Sequence, residues 1–144
     1  MTIKVVEFGE LENDISRTSG KPWDLLAPII GKTYVAAITR DGCSACEKQK
    51  PKLDELAKSI ATKHGEKVVF TRIHVKFASD SQEESLRSKE ILGHYFYPTN
   101  LILLRTIDRG VFEYYRNVSP DIKELERNIE HAIEVAAMME KQTD

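Results

Sequence analysis

Residues 33–46 read Thr33-Tyr34-Val35-Ala36-Ala37-Ile38-Thr39-Arg40-Asp41-Gly42-Cys43-Ser44-Ala45-Cys46. The first seven are nearly all apolar and lie between Gly31-Lys32 and Arg40-Asp41-Gly42. A short apolar run between turn residues predicts a strand buried on both faces, as in a central sheet. Beyond Cys46 the period changes. Leu53, Leu56, Ala57, Ile60 and Ala61 recur at helical spacing and Gly65 supplies a stop, so a long helix is expected over 46–64, kinked at Pro51. The cysteine pair thus falls where a buried strand hands over to a helix.

That position has chemical consequences. A helix N-terminus presents unpaired N–H groups and a partial positive charge, and both favour a thiolate over a thiol. An exposed Cys43 would then attack disulfides, and Cys46, one turn on, would resolve the mixed disulfide. The bridge between them closes too small a loop to add much stability through chain entropy. Two other readings stay open from the residues alone: a silent pair of small hydrophobes, or half of a metal site. Zinc takes four ligands, and His64, His74, His94 and His131 show no paired spacing to complete them.

Working outward, residues 3–8 predict a first strand ended by Gly9, and 10–20 read as a polar loop with at most one helical turn. Residues 22–30 suggest a short amphipathic helix carrying Trp23, with Pro28 against it. Residues 67–75 form the next strand. Ser81-x-x-Glu84 suggests a capping box opening a helix over 79–95 that ends near Gly93, and the charged run 82–90 reads as its solvated face. His94 reads as a packed or surface histidine. Residues 100–107 and 111–115 form a hairpin around Asp108-Arg109-Gly110. A closing helix over 119–141 has Ser119 as N-cap, Pro120 at its first position and Asp121 at its positive end. Ile122, Leu125, Ile129, Ala132, Ile133 and Ala136 form its apolar stripe.

The 144 residues carry 41% hydrophobic and 31% charged side chains with a net charge of −2, an ordinary globular composition with no pull toward nucleic acid or anionic membrane. No apolar run is long enough to span a bilayer, and the N-terminus lacks the pattern of a secretory signal. The expectation is a single cytoplasmic domain over 1–144, its core at about 33–141, with a strand and helix in 1–32. No glycine-rich phosphate loop is present.

With these elements in order, the chain resembles the thioredoxin family over roughly residues 33–141 and the first strand. The resemblance rests on Cys43 and Cys46, on Pro51 five residues past the second cysteine, on Pro98 in Tyr97-Pro98-Thr99, and on the hairpin and final helix. It implies an α/β thioredoxin-like fold: a central mixed sheet flanked by helices on both faces. It implies thiol–disulfide exchange with Cys43 and Cys46 as the catalytic pair. It places a cis Pro98 beside Cys43, in a substrate groove formed by Tyr97, Pro98, Ser44 and Ala45. Protein disulfides and an external reductase or thiol donor are the implied partners, with no cofactor and no metal. The alternative is a redox-silent thioredoxin-fold module that binds proteins.

The departures from the family pattern are specific. Gly42 stands where the family carries Trp, and Ser44-Ala45 replace Gly-Pro. Glu47 follows the pair where a basic residue is common. Ala37 occupies the position of the family's buried acid, which leaves the proton acceptor for Cys46 unassigned. Arg72 takes the place of its buried lysine, and Asn117-Val118 that of a groove glycine.

Overall fold

The computed structural model describes residues 3–18, 20–118 and 121–143. The elements run β1 (Lys4–Glu7), α1 (Phe8–Thr18), α2 (Pro22–Leu26), β2 (Thr33–Arg40), α3 (Ser44–His64), β3 (Val68–Val75), α4 (Glu83–Leu92), β4 (Thr99–Arg105), β5 (Val111–Asn117) and α5 (Ile122–Lys141). Among the described residues, five strands form one sheet in the order β1-β3-β2-β4-β5. β1 and β2 lie parallel to β3, whereas β4 is antiparallel to both β2 and β5.

β2 is central because its residues are apolar on both faces. Val35 and Ala37 point into a core shared with α3 and α5. Tyr34, Ala36 and Ile38 point into the opposite core with Phe8 and Leu11 of α1, Ala27 and Leu92. The fold is therefore a three-layer α/β arrangement with helices on both faces of a mixed sheet. The stripe of α5 packs as its spacing predicts. Leu125 and Ile129 are fully buried, each worth about 1.5–3 kcal/mol of apolar transfer.

Several boundaries differ from expectation. Residues 10–20 are not a loop: an eleven-residue helix covers Phe8–Thr18. Phe8, Leu11 and Ile15 lie on one face and pack in the second core, so three anchors hold an otherwise polar helix. The next helix stops at Leu26, not residue 30, because Pro28 disfavours helical dihedrals at Ala27, which sits at φ −135°, ψ 70°. The helix expected from 79 begins at Glu83 and ends on Gly93 in the left-handed region. Its capping box does not form. Ser81 instead pairs with Ala78 through backbone bonds, and the Glu84 carboxylate accepts the Lys76 N–H. α3 runs on through Pro51. The last helix starts at Ile122 with Asp121 as N-cap, its carboxylate accepting the Lys123 N–H at 3.0 Å. Ser119 and Pro120 lie outside the described residues.

Candidate active site

The turn from β2 into α3 is built by Asp41 and Gly42. Gly42 has φ +65°, a conformation glycine adopts without the Cβ penalty. The residue that departs from the family pattern here has a backbone task. Cys43 follows as N-cap of α3, and its Sγ accepts the Cys46 N–H at 3.1 Å. Cys43 and Cys46 are joined in a disulfide with Cα atoms 5.2 Å apart. Both are 6% exposed. An N–H directed at a sulfur favours its thiolate.

The other residues expected at the site lie on two elements, the first turn of α3 and the segment entering β4. Ser44 is exposed and Ala45 half-buried in the first turn of α3. The Tyr97–Pro98 peptide is cis, and the Tyr97 carbonyl oxygen lies 3.7 Å from Cys43 Sγ. Arg40 stacks 3.9 Å over the Phe77 ring and 5.6 Å from the Tyr97 ring.

The β2 position where the resemblance expects a buried acid is Ala37. Ala37 is 1% exposed within the core of Val35 and Leu53. The polar groups of this layer are amides. Gln49, one turn beyond Cys46, is buried, and its Oε1 accepts from Asn100 Nδ2 at 2.8 Å. Asn100 lies opposite Ala37 in the β2–β4 register and also donates to Asn117 Oδ1 at 2.9 Å. Amides do not titrate, so this layer keeps its charge at every pH. Arg72 is largely covered and reaches Asp54 of α3 at 3.4 Å.

Charge gathers instead in an open cleft of about 270 Å³ behind Cys46, lined among others by Asp41, Glu47, Lys50, Arg72 and His74. His74 Nδ1 lies 2.8 Å from Glu7 and Nε2 2.8 Å from Asp41. Asp41 also accepts the Phe77 N–H at 3.2 Å. Burial alone would lower the pKa of His74. The bonds and charges of Glu7 and Asp41 together outweigh it and raise the value above the usual histidine range. The bond from His74, and then that from Phe77, hold Asp41 below the usual carboxylate range. Among the described residues no cluster of three or more histidine, cysteine or acidic side chains is arranged to hold a metal ion.

Sequence reading identified the cysteines and the Tyr97-Pro98 step but not these polar layers. One signal for Gln49 existed: it stands on the helical stripe that continues through Leu53, Leu56 and Ile60. The Glu7–His74 contact depends on the β1–β3 register, in which these residues are partners.

A β1-β3-β2-β4-β5 sheet with a paired-cysteine turn at the β2–α3 junction, facing the entry to β4, places this chain in the thioredoxin-fold class. Solved structures bear this out. Trichomonas vaginalis thioredoxin superposes with a TM-score of 0.60 at 12% identity, covering 90% of this chain and 96% of that one. A thioredoxin from Nicotiana alata gives 0.59 at 18% identity over 91% and 94% of the two chains. The thioredoxin f2 in a complex with ferredoxin:thioredoxin reductase gives 0.56 at 21% over 91% and 94%. No protein-family model matches the chain, and no curated protein matches it in sequence. The likeness is one of fold.

Proposed function

We propose that this protein is a thiol–disulfide oxidoreductase that exchanges with protein disulfides through Cys43 and Cys46. The observation that carries the reading is the Cys43–Cys46 disulfide at the start of α3, with the Cys46 N–H on Cys43 Sγ and the Tyr97 carbonyl beside it. In the reduced form the Cys43 thiolate attacks a substrate disulfide, forming one S–S bond and releasing a substrate thiolate that takes up a proton. Cys46, deprotonated into the cleft behind it, attacks Cys43 sulfur and frees the second substrate thiol. Two electrons pass to the substrate and the Cys43–Cys46 bond is restored. An external dithiol or reductase returns the pair to the reduced form. One structural neighbour is itself found with a reductase, which supports that kind of donor.

In this reading Tyr97, Pro98, Ser44 and Ala45 form the groove, and the Tyr97 carbonyl accepts an N–H from an extended substrate segment. A cytoplasmic setting, which supplies reducing equivalents, suits a chain whose two cysteines are both in the pair. Among the described residues no helix is long and apolar enough to cross a membrane.

Redox titration in dithiothreitol or glutathione buffers, read by the mass of alkylated protein, tests the proposal. A two-electron transition is expected, with Cys43→Ser abolishing disulfide reduction and Cys46→Ser accumulating mixed disulfides. Thiols that stay free throughout would overturn it. A second reading, a binding module with an idle pair, draws on the missing acid at Ala37 and on Tyr95 and Phe96, which are 79% and 63% exposed. It expects partner capture to persist after both cysteines are replaced.

A further inference from the structure

The segment that carries Tyr97 is tied to α4 by side chains with no part in the exchange steps above. Ser85, Ser88 and His94 are buried, the last two completely. Ser85 Oγ lies 2.9 Å from the Tyr97 hydroxyl, and Ser88 Oγ lies 3.0 Å from the same oxygen. Ser88 Oγ is also 3.1 Å from His94 Nε2. His94 Nδ1 is 3.3 Å from the Phe96 carbonyl, and its ring meets the Tyr97 ring edge-on at 4.9 Å.

Counting protons gives this cluster a direction. The Phe96 carbonyl can only accept, so His94 Nδ1 carries the hydrogen. Burial among uncharged partners keeps His94 neutral, with its pKa lowered to about 4, so Nε2 is an acceptor and takes the Ser88 hydroxyl. Ser88 Oγ also lies 2.8 Å from the Ser85 carbonyl, and its single proton is shared between the two. Ser88 then accepts from the Tyr97 hydroxyl, whose oxygen in turn accepts from Ser85. The Phe96 carbonyl at the far end takes a second bond, from Thr99 Oγ1 at 2.7 Å. The chain of bonds therefore runs from α4 through Tyr97 and His94 to the peptide just ahead of the Tyr97 carbonyl.

We propose that Ser85, Ser88 and His94 are positioning residues for substrate docking, holding the Tyr97 carbonyl beside Cys43 Sγ through the Tyr97 hydroxyl and the Phe96 carbonyl. The inference rests on the oxidoreductase reading and adds to it the group that sets its docking geometry. Tyr95 and Phe96 point their side chains at solvent, so the anchoring of this segment comes from the inside. A docking carbonyl has to be held to about 0.5 Å to act on substrate geometry. A protein disulfide that binds as an extended strand needs that carbonyl, and a small aromatic disulfide does not.

Ser88→Ala and Ser85→Ala test this, with reduced insulin formation as the protein assay and 4,4′-dithiodipyridine as the small disulfide. The variants are expected to raise KM for insulin about 5- to 10-fold at little cost in kcat. Their rates with dithiodipyridine, and the midpoint of the Cys43–Cys46 couple in dithiothreitol buffers, should stay within about twofold of the parent protein. Ser85→Thr, which keeps the hydroxyl, should recover most of the insulin KM. Should Ser88→Ala fail to fold, Ser85→Ala, which removes only one bond to Tyr97, carries the test alone. An unchanged insulin KM, or an equal loss on both disulfides, overturns the positioning role. A parent protein with no two-electron transition would instead defeat the oxidoreductase reading itself.

Discussion

Two histidines flank the cysteine pair, and their surroundings differ in kind. His74 stands at the cleft behind Cys46, half-buried, with a carboxylate 2.8 Å from each ring nitrogen. His94 stands behind Tyr97, fully covered, its contacts being the Ser88 hydroxyl, the Phe96 carbonyl and the Tyr97 ring. Burial presses on both to lose the proton. At His94 the single bond to the Phe96 carbonyl does not counter it, and Lys89 and Arg116 add to the loss. At His74 two anionic acceptors reverse the outcome. One side chain thus holds its proton more firmly than a free histidine, on an open surface, and the other is a neutral element of a closed network. The carboxylates are what turn the direction at His74, since burial lowers the pKa at both sites.

The largest expected effect falls on the closed side. His94→Ala would remove one of the two donors to the Phe96 carbonyl and one of the two acceptors for the Ser88 hydroxyl, and leave a cavity where the ring packs on Tyr97. Together these should cost about 3 kcal/mol in urea unfolding at neutral pH. His74→Gln, made on the open side, should cost less than about 1 kcal/mol under the same conditions, because its ion pairs are partly solvated. Equal losses from the two would erase the contrast.

A second effect of similar origin should appear on acidification. The pKa of His94 is depressed in the folded state, so its contribution to stability is complete above the unfolded value of about 6.5 and is lost as pH falls toward about 4. Below that, both states carry the proton. The full swing is about 3 kcal/mol. Carboxylates such as Asp41 titrate in acid as well, so the quantity to measure is the difference between the parent protein and His94→Gln in urea titrations from pH 7 to 4. That difference should shrink steadily across the range. A constant difference would mean that His94 is already able to take up its proton in the folded protein.

How much of this was legible in the sequence follows the reach of each interaction. The central strand announced itself through an unbroken apolar run, α3 and α5 through their stripes, and the cysteine pair through its place between a strand and a helix. The Tyr97-Pro98 step was visible only by resemblance. α1 is hidden in the sequence because its residues after Gly9 are mostly polar and its main anchor, Phe8, continues the apolar run of the strand before it. In the charged run 82–90, the uncharged Ser85 and Ser88 stand at i and i+3, followed by Leu92 at i+7. This is a buried stripe written in serine, without the apolar side chains that mark a helix face in a sequence. The His74 cluster joins residues 67 and 33 positions apart. Only the strand register, a product of the whole sheet, brings them together.

The smallest expected effect belongs to that cluster, and its sign is opposite to that of His94. The folded protein holds the His74 proton above the ordinary histidine range because Glu7 and Asp41 both accept from the ring. Below the unfolded value of about 6.5 both states are protonated and the stabilisation is complete. As pH rises from there, the unfolded chain loses its proton first, so stability falls until the folded-state pKa is passed, and beyond it nothing of this contribution remains. Lys76 lies close to Asp41 and opposes part of the change by keeping that carboxylate compensated. Urea unfolding of the parent protein and His74→Gln between pH 6 and 9 should therefore show a stability gap that is widest at pH 6 and closes as pH rises. A gap that widened with pH would place a neutral ring between Glu7 and Asp41, making both histidines alike and removing the distinction between the two sides of the cysteine pair.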